Sequence, residues 1–398
     1  MKFETIKLEE AILLANTGAD AIKRAPIVDY ETKFRCLRIG DISNNRPFEK
    51  WGYTSADEKI QKKFKLTQND ILIARTGNTI GVATIIEKSL NSVFNNGLIR
   101  LKIKESFNPR YIYYLVTSNL FKGFISQISG GTSTQPNVKI QHVLQFPIPN
   151  ISLDLQNKIA SLLEKLDKKI NNNISIIDNL EQLSQTLFKY WFIDFEFPNE
   201  LGQPYKSSGG EMMEIELGEI PITFNTGTIK DFCELKYGKA LTKKNRIPGS
   251  YPVYGSGGIT GTHKEYLIKG PGLIIGRKGS IGTLYLEANN FYPIDTVYYV
   301  ESKTYPINFL HQFFKQYDFS QANNDSAVPG LNREFVYNTK AIIPDSVLVR
   351  KFEEILNPMY EKINNLLKEN QQLSELRDTL LSKLLSGEIE IPDELVVD

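Results

Sequence analysis

The chain has 398 residues, 41% of them hydrophobic, with 47 Lys/Arg against 46 Asp/Glu and a net charge of +1. That length allows two or three domains, each large enough to bury its own core, so no disulfide scaffold is needed. Cys36 and Cys233 form no CxxC; they read as buried structural thiols in a reducing cytoplasm and leave no metal or redox site.

The opening MKFETIKLEEAILL has no basic stretch followed by an apolar core, so no signal peptide is expected. Nor does any apolar run reach the roughly 18 residues of a membrane helix. The expectation is a cytoplasmic protein without a membrane partner. The near-neutral total hides an uneven distribution. Residues 1–150 carry 21 Lys/Arg against 13 Asp/Glu (+8) and 226–345 carry 14 against 10 (+4), whereas 151–225 (6 against 12, −6) and 346–398 (6 against 11, −5) are acidic. Two basic halves suggest surfaces facing a polyanion, with surplus lysines that only solvate a surface as the alternative.

In chain order, EKIQKKFKL first offers Lys59, Lys62, Lys63 and Lys65 as a phosphate-positioning patch or a solvated loop. NDILIARTGNTIGVATIIE then places β-rich apolar runs around a Gly-bearing turn, a hairpin pattern. LIRLKIK alternates as a strand, and PRYIYYLVTSNLFKGFI follows as a helix. After an Ile-Pro step, Asn150 or Ser152 can cap a long helix in which Leu166, Ile170, Asn173, Ile177, Leu180, Ser184, Leu187 and Trp191 recur at spacings of four and three. Then comes a stretch of clustered Gly, Pro and Ser, expected to be a linker.

The second half repeats the order. LTKKNRIPGSYPVYG adds Lys243, Lys244 and Arg246 in a polar loop, and GPGLIIGRKGSIGTLYLEA matches the first hairpin, with Arg277 at the place of Arg75 and Gly279 at that of Gly77. DTVYYVES and PINFLHQFFKQYDF are the counterparts of the strand and helix. A second long helix, capped by Asp345 or Ser346, carries Met359, Ile363, Leu366, Asn370, Leu373, Arg377, Leu380 and Leu384 on the same rungs, with Asn357 and Pro358 predicting a break or kink. Its EKINNLLKENQQLSELRDTL lies at a constant offset of 193 from KKINNNISIIDNLEQLSQTL, which marks a duplicated domain-and-helix unit. The two seams most economically satisfy each other as an antiparallel coiled coil, with Asn173, Ser184, Asn370 and Arg377 fixing register. Each half is α+β, built mainly on hairpins.

The search for catalytic chemistry is negative. YGSGGITGTHK lacks a GKS/GKT ending and GxGxxG spacing, no HExxH or Asn/Asp-Pro-Pro-aromatic tetrapeptide occurs, and His142, His263 and His311 lack metal-ligand spacing. The positive signal is ARTGNTIG and GRKGSIG. Arg75 and Arg277 suit a guanine edge, Asn78 suits adenine, and Thr76, Lys278 and Ser280 suit phosphates, although Gly77 and Gly279 also fit a tight turn with no ligand.

GGTSTQPNVKIQHVLQFPIPNISLDLQNKIASLLEKLDKKI, LFKYWFIDFEFPNELGQPYKSSGGEMMEIELGEIP and YPVYGSGGITG with GRKGSIG together resemble type I restriction–modification DNA specificity subunits over nearly the whole chain. The resemblance implies a non-catalytic, α+β protein of pseudo-two-fold form. Two target-recognition domains, 1–150 and 218–345, would each read half of a split double-stranded DNA site. Spacer helices at 151–191 and 346–386 would set the gap, with a linker at 192–217 and a tail at 387–398. It implies two methyltransferase subunits and motor–nuclease subunits as partners, with AdoMet, ATP and Mg on those partners and no cofactor on this chain. The turn at 131–137 has AVPGLN (327–332) as its counterpart, and CLRIGDISNN has YPVYGSGGITG; such divergence predicts dissimilar half-sites. A specificity protein for a fused nuclease–methyltransferase, a self-sufficient methyltransferase and a scaffold without a DNA role are the alternatives.

Overall fold

The computed structural model describes residues 3–20, 22–129, 137–216, 218–319 and 330–391. The chain forms two compact units, one of residues 1–171 with 370–398 and the other of 172–369. Each of the two long helices, α6 (Leu153–Phe192) and α10 (Ser346–Ser386), gives one end to each unit.

In the first unit, β1 (Thr5–Lys7) pairs antiparallel with β10 (Pro147–Pro149). A four-stranded antiparallel sheet runs in the order β2 (Ile12–Thr17), β9 (Leu98–Ile103), β6 (Ile71–Ala74), β7 (Ala83–Ile85). A second runs β3 (Ile27–Val28), β5 (Gly52–Thr54), β4 (Arg35–Leu37), β8 (Ser92–Phe94), with β4 and β8 parallel. Short helices α1 (Ile39–Ser43) and α2 (Glu58–Phe64) belong to this second layer, while α3 (Pro109–Thr117), α4 (Asn119–Ser129) and α5 (Ile140–Val143) follow β9. The expected single helix over 109–125 is two, because Ser118 leaves the helical region (ψ 157°) and its hydroxyl accepts the N–H of Phe121, capping α4.

The second unit uses the same plan. A hairpin of β11 (Met212–Ile215) and β12 (Gly218–Pro221) precedes it; β13 (Asn225–Thr228) then pairs with β21 (Lys340–Ile343) as β1 does with β10. After α7 (Ile229–Phe232), the sheet order β14 (Cys233–Tyr237), β20 (Val297–Ser302), β17 (Gly272–Gly276), β18 (Leu284–Glu287) reproduces β2-β9-β6-β7. β15 (Tyr251–Gly255) pairs with β16 (Gly258–His263) and, in parallel, with β19 (Tyr292–Pro293), matching the β4–β8 pairing. Helices α8 (Ile307–Phe314) and α9 (Arg333–Tyr337) correspond to α3 and α5.

The linker stretch is packed rather than loose. Phe195 and Phe197 are buried, and the Phe197 ring stacks on Tyr205 at 4.6 Å and on Phe224 at 5.6 Å. Ser152 and Asp345 cap α6 and α10, accepting the N–H groups of Leu155 and Val347. Every rung of both predicted seams is buried or half-buried. In the first unit Leu163 and Leu166 of α6 share a core with Leu380, Leu381 and Leu384 of α10, and Arg377 Nη1 donates to Asp167 at 2.8 Å. In the second, Ile177, Leu180 and Leu187 meet Met359, Ile363 and Leu366, while the Ser184 hydroxyl reaches Met359 Sδ at 3.5 Å. Residue numbers rise along one helix as they fall along the other, so the pairing is antiparallel. Ile170 and Leu373 are half-buried on the same stripes, whereas Leu183 and Leu376 point out.

Of the break or kink expected at Pro358, the break is absent: α10 continues through it. Pro358 sits on the exposed side, and Asn357, expected as a cap there, instead accepts from Asn308 Nδ2 at 2.9 Å. Core packing of Phe352, Leu356, Tyr360 and Ile363 on both sides of the proline outweighs the one lost backbone hydrogen bond.

Candidate nucleic-acid interface

In the first unit the chain leaves β6 at Ala74 into the turn 75–81. The Arg75 N–H donates to the Gly97 carbonyl at 3.0 Å, and the Arg75 carbonyl accepts from Val138 at 2.9 Å. Asn95 donates to Leu37 O, Ala19 to Phe94 O and Gly18 to Leu98 O, which ties the ends of β2, β4 and β8 and the start of β9 to the same place. Gly18 is required here, since a Cβ would lie 2.2 Å from Phe94 O. The Arg75 guanidinium is held by Asn137, whose Oδ1 accepts from Nε at 3.2 Å and Nη2 at 3.0 Å.

The second unit repeats this peptide frame around Arg277. Its N–H donates to Thr296 O at 2.9 Å and its carbonyl accepts from Leu331 at 2.8 Å; Ile294 donates to Tyr254 O, Lys239 to Pro293 O and Gly238 to Val297 O. Gly238 matches Gly18, and a Cβ on it would lie 2.1 Å from Ile294 O. The side chains differ. The Arg277 guanidinium donates to the Asp295 carbonyl and lies 5.1 Å from the Tyr237 ring centroid, and Arg333 lies 5.4 Å from the same ring. Arg277, Tyr237 and Arg333 thus form a cation–aromatic–cation group with Tyr237 52% exposed.

The tips carry the other expected residues at the surface. Thr76 is half-buried and Asn78 exposed; Lys278 and Ser280 are exposed, with Gly77 and Gly279 left-handed at φ 79° and 83°. The lysine patches are elsewhere. Lys62 and Lys63 sit on α2, not in a loop, and α2 is tied to the start of β8 through Leu66 N–H to Ser92 O (2.9 Å), the far end of that strand from the turn 95–97. Lys243 and Lys244 are exposed in a 3-10 turn (Lys243–Asn245), whereas Arg246 Nη1 is committed to Thr260, donating to its carbonyl at 2.7 Å and hydroxyl at 3.0 Å.

Sequence reasoning missed Tyr237 and Arg333, which stand beside Arg277. Arg333 immediately follows the divergent stretch 327–332, so divergence was a usable pointer; Tyr237 ends a strand and carries no local mark. The turn matched as 131–137 lies, except for Asn137, outside the described residues, as do 327–329 of its counterpart. The bridges Thr76–Asn137 and Lys278–Gly330 equate Asn137 with Gly330. Asn332, its apparent match in sequence, instead accepts from Glu334 N–H at 2.8 Å to cap α9.

Both cysteines and two of the three histidines are buried, whereas His142 is half-buried on α5. Burial pushes the Cys36 and Cys233 thiols up to about 12. His311 is buried, its Nδ1 2.9 Å from the Tyr360 hydroxyl, and burial lowers it to about 3; His263 Nδ1 accepts the Ile247 N–H. Among the described residues no cluster of His, Cys, Asp and Glu could hold a metal, and no helix is long and apolar enough to cross a membrane.

Two tandem units of this topology, with paired long helices, match known proteins. Residues 3–182 and 221–375 match the type I restriction modification DNA specificity domain. The chain belongs to that family, whose specificity subunits recognise DNA targets and are not catalytic. It is 26% identical over 341 residues to the type I restriction enzyme MjaIX specificity subunit of Methanocaldococcus jannaschii, covering 79% of this chain and 76% of that one. It is 23% identical to the HindI specificity subunit of Haemophilus influenzae, covering 89% and 94%. Its fold is that of the type I restriction–modification S subunit from M. genitalium, with a TM-score of 0.55, 19% identity and 98% and 97% of the two chains covered.

Proposed function

We propose that the chain directs DNA methyltransferase and restriction subunits to a split, asymmetric site in double-stranded DNA, each unit reading one half. The observation that carries this is the repeated peptide frame around Arg75 and Arg277, which displays different side chains in the two units. A frame built of main-chain hydrogen bonds holds the displayed residues without dictating them, as a reader of two unlike half-sites requires. The +8 and +4 charges of the two basic halves supply the sequence-independent attraction to phosphate.

In this reading Arg75 and Arg277 approach base edges, with Thr76, Asn78, Lys278 and Ser280 around them, and Tyr237 and Arg333 widen the second surface. Lys62, Lys63, Lys243 and Lys244 contact phosphates at the margins, and Arg246 braces β16. Two methyltransferase subunits and motor–nuclease subunits join the chain in the cytoplasm and bring AdoMet, ATP and Mg with them; this chain supplies geometry and binding energy. The target adenine is flipped by the methyltransferase, since chemistry on a base needs it out of the stack. Long-read methylation sequencing of cells with the methyltransferase, with and without this chain, tests the proposal. A bipartite adenine-methylated motif that requires the chain is expected; an unchanged methylome with the assembled complex present refutes it.

A further inference from the structure

The strongest feature outside the tip residues lies in the first unit, where one buried carboxylate holds two arginines at the surface. The Asp41 side chain has no exposed area. Its Oδ2 accepts the Arg38 N–H at 2.9 Å and lies 3.5 Å from Arg38 Nε, while Oδ1 lies 3.5 Å from Arg46 Nη1. The two arginine side chains are nonetheless 38% and 48% exposed.

Helix capping accounts for the backbone part of this arrangement but not for the two guanidinium contacts. Capping α1 uses one oxygen, on the Arg38 N–H; the second oxygen faces Arg46, which lies beyond the helix. The backbone of Arg46 is fixed from both sides. Its N–H donates to Asp41 O at 2.8 Å, its carbonyl accepts from Trp51 Nε1 at 2.9 Å, and the preceding Asn45 is left-handed at φ 47°. Asn45 and the Arg46 N–H form the left-handed C-terminal cap of α1, a conformation asparagine adopts readily, and this cap fixes where Arg46 leaves the helix. The segment is also in the right place. Leu37, at the end of β4, accepts from Asn95, and Ile39 packs so close to Gly97 that a Cβ there would lie 2.6 Å from Ile39 Cδ1; Gly97 in turn accepts the Arg75 N–H.

We infer that Arg38 and Arg46, oriented by Asp41, are a second base-reading element of the first unit, a pair of guanidinium forks for the acceptor edge of a guanine. This rests on the DNA-reading role proposed above. A guanine edge fits better than a phosphate because the site carries two cations beside one anion, which halves its electrostatic pull, while two guanidinium forks on an anchored backbone favour a planar, directional acceptor. Tyr254 answers to Leu37 in the second unit, so Gly255 stands where Arg38 does and the pair has no counterpart there.

The test uses Arg38→Lys and Arg46→Lys in the full chain assembled with its methyltransferase. Lysine keeps a cation for Asp41 and removes the fork, so folding is retained. The methylated motif is read by long-read sequencing, and binding is measured on duplexes with each base of each half-site replaced. One guanine of the first half-site should lose discrimination, from about tenfold to a hundredfold in the unaltered chain to less than about threefold, with the second half-site unchanged. Unchanged base preference in both half-sites overturns the inference, as does uniform weakening with preference intact, the mark of a phosphate contact. Failure of the underlying reading is seen separately, as the absence of any chain-dependent motif with the unaltered chain, and it takes this inference with it.

Discussion

The wholly buried Asn173 of α6 donates from Nδ2 to the carboxylate of Glu369 on α10 at 2.9 Å. A polar pair in a largely apolar seam weakens packing and penalises every register that separates its members. A double-mutant cycle of Asn173→Ala and Glu369→Ala, followed by thermal unfolding of the assembled complex, should give a coupling of about 1.5–3 kcal/mol, the range of hydrogen bonds to charged groups. Additive effects would show that the contact contributes nothing to the pairing.

Asn137 is expected to control the first half-site without itself being a reader. Its Oδ1 fixes two nitrogens of Arg75, so Asn137→Ala leaves the guanidinium to rotate. Discrimination at one base of the first half-site should fall about tenfold, the lower end for a bidentate contact, while the second half-site holds. Arg277→Ala should do the converse. Binding to half-site-substituted duplexes reads both, and a loss spread across the two half-sites would contradict the separate assignment.

Gly18→Ala and Gly238→Ala should be among the most damaging small substitutions in the molecule. In each case the added carbon meets a carbonyl oxygen at 2.2 or 2.1 Å, which only backbone movement relieves. A cost of roughly 3 kcal/mol or more is expected at each, visible as a lower melting temperature and poor recovery of soluble complex. Gly77, with open space around it, should tolerate alanine better despite its φ of 79°.

Acid should destabilise the second unit through His311. Burial lowers its pKa to about 3 against an ordinary 6.5, so below pH 6.5 the unfolded chain takes a proton that the folded chain refuses. Stability therefore falls as pH drops from about 6.5 toward 3, by at most about 1.4 kcal/mol per pH unit from this group. Melting curves of His311→Gln should show a shallower acid dependence than the unaltered chain across that window; an equal slope would place the acid sensitivity elsewhere.

Much of the architecture was legible because it is periodic or duplicated. The spacings of four and three put Ile177, Leu180, Ile363 and Leu366 on the buried stripe, and the paired hairpins around Arg75 and Arg277 stand where matching runs placed them. What was not legible depends on partners distant in sequence. Asn137 is 62 residues from the arginine it holds. Local rules failed where packing overrode them, as at Pro358, or where one hydroxyl redirected the chain, as at Ser118.

The frame that surrounds Arg75 and Arg277 is written in peptide groups, and peptide groups are common to all residues. Substitutions at Asn78, Lys278 or Ser280 leave those hydrogen bonds in place. The side chains displayed on this frame can therefore diverge, as they already have between the two units, without the chain first having to re-evolve a fold.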